Sequence, residues 1–149
     1  MRFRFVRVVY IAVMLLSVIV AACSSNNDSR DQDLVDIRKV LEQRNNAIEN
    51  KDLSLYKSLI FPEYFDGGAS LEQILSEMEY AFKQHETIAF TYQKSPVEFQ
   101  MNTARVVQRI IYRVAGEEKG RHGHERLILR KLDGKWIISG GIQTGLLGE

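Results

Sequence analysis

Hydrophobic residues in this chain change their repeat partway along it, from a helical spacing to strict alternation, and that change limits the folds open to it. Leu34, Ile37, Leu41 and Ile48 recur at intervals of three, four and seven, with Val40 and Ala47 widening the stripe. Arg38, Lys39, Glu42, Gln43 and Glu49 fill the opposite side. The spacing predicts an amphipathic helix over Leu34–Glu49. Asn50-Lys51-Asp52 interrupts it, Asp52 is placed to cap a short helix over Leu53–Ile60, and Pro62 ends that element. Glu63–Gly68 reads as a short extended piece and a turn. Ser70 and Gln73 then form an S-x-x-Q capping box, in which each side chain satisfies a free backbone N–H of the other. Leu71, Ile74, Leu75, Met78 and Phe82 give the third helix its apolar face.

From Thr87 onward the period is two. Ile88, Phe90 and Tyr92 alternate with Ala89, Thr91 and Gln93, and longer strands are predicted over Thr103–Ala115 and Arg121–Leu132. Asp133-Gly134 is a type I′ hairpin signal leading into a last strand, Lys135–Gly140. Helices first and an antiparallel meander after them predict an α+β domain, its N-terminal helices packed on one sheet face.

Ahead of the domain, Arg2, Arg4 and Arg7 precede the uncharged stretch Val8–Ala22, the charge and apolar order of an export signal. Its core, Val8–Val20, falls short of the roughly 20 apolar residues that a membrane-spanning helix needs. Val20-Ala21-Ala22-Cys23 resembles a bacterial lipobox. The resemblance implies a diacylglyceryl thioether on Cys23, cleavage before it and acylation of the new amino terminus; Ser24 resembles the default routing to the outer membrane, facing the periplasm. Ser24–Asp33 has no apolar residue and reads as a flexible tether. The expected organisation is a signal over 1–22, an acylated cysteine and tether over 23–33, and a domain over 34–149. Of 149 residues, removal of 22 leaves 127, which suits one domain.

Of the 20 lysines and arginines, three lie in the signal, and against 19 acidic residues the remainder leaves a net charge of −2. That balance argues against a nucleic-acid partner, which calls for a strong basic excess. Cys23 is the single cysteine, so no intramolecular disulfide is available. Acylation at the lipobox is preferred to a bridge between chains.

Three stretches resemble the nuclear transport factor 2-like superfamily, with its ketosteroid-isomerase-like and polyketide-cyclase-like members. They are Ala47-Ile48-Glu49-Asn50-Lys51-Asp52-Leu53, then Tyr56, Leu59 and Phe61-Pro62, and finally Asp133-Gly134-Lys135-Trp136-Ile137-Ile138. The resemblance covers nearly the whole domain and implies a curved sheet wrapped around helices, a cystatin-like roll with a cone-shaped pocket. The superfamily contains isomerases, dehydratases, cyclases and non-catalytic binding or assembly modules. Its shared motifs belong to the scaffold, so function has to be argued from the site.

Strand alternation sorts the candidate residues. One face of Thr103–Ala115 carries Ala104, Val106, Gln108, Ile110, Tyr112 and Val114; the other carries Arg105, Val107, Arg109, Ile111 and Arg113. The first set is expected to face the helices, because burying three unpaired arginines is very costly. By the same parity Glu125 points inward with Leu127 and Leu129, while Arg126, Ile128 and Arg130 point outward. Tyr92, Gln108, Tyr112 and Glu125 are therefore the candidate ligand-binding residues of the concave side, with Tyr56, Tyr64 and Tyr80 reaching in from the helices. A carboxylate base beside a phenol donor is what an isomerase-like site needs, which makes Glu125 and Tyr112 the catalytic candidates. The bland alternative puts Glu125 at a wet rim and the tyrosines in a core, and no residue matches a diagnostic catalytic motif of the family's enzymes. His122 and His124 supply two imidazoles on one side of a strand, short of the three ligands a zinc site wants. No metal or cofactor is expected. Trp136 is expected in the core.

The outward set, Arg105, Val107, Arg109, Ile111, Arg113, Arg126, Ile128 and Arg130, concentrates basic charge on one face. Like charges on adjacent strands repel, so this face is a candidate interface for a second subunit, an acidic protein or an anionic envelope surface. Its plain alternative is a solvated face whose arginines pair with Glu98, Glu117 or Glu118. Three functions stay open: a periplasmic binding or accessory lipoprotein holding a small amphipathic ligand or a partner; a cofactor-independent isomerase or dehydratase using Glu125 and Tyr112; and a purely structural accessory whose cone is filled by its own side chains. The first is the primary expectation, with catalysis the weaker one.

Overall fold

A computed structural model describes residues 29–93, 96–116 and 119–144. Cys23 and its lipobox, Glu117 and Glu118, and the closing glycines and leucines after Thr144 lie outside the described residues. Residues 36–149 form a compact unit of their own.

Helix α1 covers residues 29–49. Its described part reaches back five residues ahead of Leu34, so part of the stretch read as a tether is helical. Lys51, in a left-handed conformation (φ 57°), breaks the helix, and Asp52 Oδ1 accepts from Leu55 N–H at 2.8 Å to start α2, Leu53–Ser58. The chain after α2 runs beside the last strand: Phe61 N–H donates to Ile138 O and Ile138 N–H to Leu59 O, both at 2.8 Å. A two-stranded ribbon, β1 (Phe65–Asp66) and β2 (Ala69–Ser70), leads into α3, Leu71–Gln84. Its capping box is formed as expected, with Ser70 and Gln73 satisfying each other's backbone N–H.

The main sheet is antiparallel and curled, its strands ordered β3 (Ile88–Tyr92), β5 (Thr103–Val114), β6 (Arg121–Leu132) and β7 (Lys135–Gly140), with β4 (Val97–Gln100) pairing along the other part of β5. Strand β4 was not expected from the sequence. The turn at Asp133-Gly134 has positive φ at both residues, 48° and 78°, as a type I′ hairpin requires. On β5 and β6 burial alternates residue by residue, so the expected inner and outer faces are the observed ones.

Two apolar clusters fill the space between helices and sheet. One holds Ala47, Ile48, Tyr56, Ile74, Phe90, Ile110 and Tyr112; the other holds Ile37, Val40, Leu41, Val106, Leu127, Leu129 and Trp136. Trp136 is buried, with Phe99 edge-on to it at 6.2 Å. Helix α1 contributes to both clusters, and residue 44 falls at the seam between them.

Candidate functional site

At that seam sits an ion pair. Arg44 takes the stripe position between Leu41 and Ile48, and its guanidinium reaches Glu125 across 81 residues of chain, with Nη1 to Oε2 at 2.9 Å and Nη2 to Oε1 at 2.8 Å. Both residues are 1% exposed. Gln108, directly opposite Glu125 on β5, donates Nε2–H to Oε2 at 3.1 Å. Gln143 donates its backbone N–H to Oε1 at 3.2 Å. Four donors thus occupy a carboxylate that offers about four lone-pair sites. Bidentate, charge-assisted geometry of this kind is the strong form of the interaction.

Aromatic rings enclose the pair. The Arg44 guanidinium lies 5.2 Å from the Phe90 ring centroid and 5.9 Å from that of Tyr56, and Phe90 packs against Tyr112 at 4.8 Å. Burial by itself would lower the Arg44 pKa, but Glu125, with Tyr56 and Tyr112, outweighs it and holds the guanidinium above its ordinary range. Burial pushes the phenols of Tyr112 and Tyr56 upward, against the pull of Arg44, and both stay neutral donors. Within this centre Arg44 Nε, Tyr56 OH and Gln108 Oε1 are buried without a hydrogen-bond partner among the described residues, and Asn45 Oδ1, next along α1, is a fourth such atom. The three within the centre are the groups a small polar guest in this interior would meet first.

The segment after β7 closes over this centre. Three consecutive backbone N–H groups are fixed by side chains: Gly141 by Asp66 Oδ2 at 2.6 Å, Ile142 by the Tyr64 hydroxyl at 3.1 Å, and Gln143 by Glu125. Gly141 has φ +80°, and a Cβ there would stand 1.7 Å from the Arg126 carbonyl oxygen, so only glycine lets the strap pass. Ile142 packs against both apolar clusters.

Gln108, Tyr112 and Glu125 do meet on the concave side, and Tyr92 stands half-buried at its edge against both clusters. Glu125 is not at a wet rim. Tyr56 and Tyr64 point inward, whereas Tyr80 is 54% exposed and does not reach the interior. The surface groove beside α2 and α3 (about 600 Å³) includes Tyr64 in its wall but none of Tyr92, Gln108, Tyr112 and Glu125, and the groove along β7 (about 680 Å³) is lined by none of the candidates. Arg44 is the member that sequence reasoning missed. Its signal was present: the interval of seven between Leu41 and Ile48 is a three and a four with a charged residue at the step.

On the outer face Arg105, Arg109, Arg113, Arg126 and Arg130 are exposed, with Val107 at 46% and Ile111 and Ile128 half-buried between them. Arg130 stacks 5.3 Å from the Phe61 ring. Among the described residues no carboxylate pairs with Arg105, Arg109, Arg113 or Arg126, although Glu98 stands opposite Arg105 in the sheet register. His122 and His124 share this face, opposite Ile111 and Arg109.

No protein-family model matches the chain, and no curated protein matches it in sequence. Solved structures match its fold. Bd1075 of Bdellovibrio bacteriovorus aligns over 81% of this chain at 17% identity with a TM-score of 0.66, and the chain spans 44% of that protein's length. A protein of unknown function with a cystatin-like fold from Nostoc punctiforme aligns over 73% of this chain and 87% of its own, at 9% identity and a TM-score of 0.62. A protein of the nuclear transport factor 2-like family from Streptomyces avermitilis, provisionally named a dehydratase, aligns over 74% and 93%, at 15% identity and a TM-score of 0.63. The chain therefore has the cystatin-like fold of nuclear transport factor 2-like proteins.

Proposed function

We propose that this chain is a lipid-anchored envelope protein whose domain works as a binding or accessory module, with its outer sheet face as the contact surface. The supporting observation is the state of Glu125. A general base needs a free lone pair within reach of the proton it takes, and all four acceptor sites of this carboxylate are engaged by Arg44, Gln108 and Gln143. In the interior where the fold would hold a ligand, the chain's own Arg44 is buried against this carboxylate. Anchoring rests on Val20-Ala21-Ala22-Cys23 behind a basic and apolar leader. Acylation at Cys23 with two or more chains gives stable attachment where one gives only marginal binding, and Ser24 favours the outer membrane, facing the periplasm.

Growth with an alkyne-tagged fatty acid tests the anchor. The expected result is label on the native chain and none on Cys23→Ala; an unlabelled native chain would overturn the anchoring. Native mass spectrometry after gentle extraction tests the interior. The expected mass is that of the acylated chain without a retained small molecule.

A second reading, a cofactor-independent isomerase or dehydratase using Glu125 and Tyr112, draws support from the likeness to a provisionally named dehydratase. It would require the strap at Gly141–Gln143 to open and Arg44 to withdraw. A co-purifying small molecule lost in Glu125→Gln would favour it.

A further inference from the structure

Charge is divided between the two halves of the domain. Residues 36–87, which carry the helices, hold ten acidic and six basic residues; residues 88–144, which carry the main sheet, hold five acidic and ten basic. On the outer face the β5–β6 register sets Arg105 opposite Ile128 and Val107 opposite Arg126, with Arg109 and Ile111 opposite His124 and His122 and Glu98 beside Arg105, so the arginines are spaced apart by aliphatic and imidazole side chains. Diagonal neighbours in such a lattice lie about 7–8 Å apart. The arginines are exposed, and four of them have no carboxylate partner among the described residues.

This pattern discriminates between occupants. A second copy joined by a two-fold axis would set the same patch against itself, one basic surface against another, which costs affinity. Dispersed single charges separated by aliphatic side chains instead suit anions that can move to meet them. Headgroups of a fluid bilayer do so, while Val107, Ile111 and Ile128 contact the apolar boundary beneath. The acidic helical half is repelled by the same surface, which fixes the orientation.

We infer that the β5–β6 face docks on an anionic phospholipid surface. The inference rests on the proposed anchoring, which keeps the domain close: six residue steps from Cys23 to residue 29 and seven helical ones to residue 36 reach at most about 32 Å. Each arginine near such a surface contributes about 1 kcal/mol. Replacing two of them is therefore expected to weaken surface association about 30-fold.

The test uses the full chain in two vesicle preparations, phosphatidylcholine only and phosphatidylcholine with about one-third phosphatidylglycerol. An environment-sensitive probe is placed by Val107→Cys on the sheet face or by Ser76→Cys on the helical half, and quenched with neutral acrylamide. Shielding of the Val107 probe in the anionic vesicles only is expected. It should be lost in Arg109→Gln/Arg126→Gln and at about 1 M salt, where the Debye length is about 3 Å. The Ser76 probe should stay equally accessible in both. Equal accessibility at position 107 would overturn the inference. So would shielding in both preparations that grows with protein density, the signature of a second copy. Intact mass at Cys23 is read separately: acylation without shielding removes the docking and keeps the anchor, and shielding without acylation does the reverse.

Discussion

Strands β5 and β6 have two faces that treat charge in opposite ways. On the inner face one carboxylate, Glu125, is met by four donors and sealed under a strap of backbone. On the outer face, one residue away along the same strand, Arg126 has no carboxylate partner among the described residues, and Arg105, Arg109 and Arg113 across the sheet have none either. Solvent makes the difference. An exposed arginine keeps its hydration and needs no partner, so its position is free to serve a contact. A buried charge has lost that hydration, and unless it is paired it destabilises the fold. The inner constellation resembles catalytic equipment by residue type, and its carboxylate is engaged by Arg44, Gln108 and Gln143.

The largest effect should come from breaking the inner pair. Glu125→Leu leaves Arg44 buried and uncompensated, and a loss of about 3–5 kcal/mol is expected in urea unfolding. A cost within the range of ordinary surface substitutions would mean that water reaches this interior. Gly141→Ala comes next, because its Cβ meets the Arg126 carbonyl in a backbone region that favours glycine. A loss of about 2–4 kcal/mol follows if the strap is fixed, whereas a silent change would show that it swings free.

Alkaline pH sharpens the contrast further. The folded state keeps Tyr112 and Tyr56 protonated above their ordinary value of 10.0. The unfolded chain therefore binds fewer protons above about pH 10, and stability must fall as pH rises past it. Each buried phenol adds about 1.4 kcal/mol per pH unit to that slope. Tyr112→Phe should remove one such contribution, measured by denaturation at a series of pH values between 9 and 11. The smallest effect belongs to the outer face. Arg109→Gln and Arg126→Gln should change stability by no more than about 0.5 kcal/mol, or raise it slightly by relieving repulsion. A large loss there would mean that the arginines are structural.

Much of this arrangement was legible in the sequence. The capping box at Ser70, the hairpin at Asp133-Gly134 and the two faces of β5 and β6 follow from local rules with fixed spacing. Strand β4 escaped because four residues directly after Pro96 give too short an alternation to register. The helical state of residues 29–33 escaped because they are polar, a composition shared by tethers and solvated helix faces. Glu125 was placed inward by parity alone. Its partner was not found, because a contact across 81 residues leaves no local pattern. A charged residue inside the apolar stripe of α1 and an acid on the inner face of β6 each demand a partner, and the two demands together point to Arg44.

The central claim is that Arg44 and Glu125 are matched core residues rather than a base and its activator. A double-mutant cycle tests it most directly, by measuring the unfolding free energies of Arg44→Met, Glu125→Leu and the combined variant. Each single change should cost about 3–5 kcal/mol, while the double, which leaves no buried charge unpaired, should recover most of that loss. Additive costs in the double variant, or single variants as stable as the native chain, would contradict it.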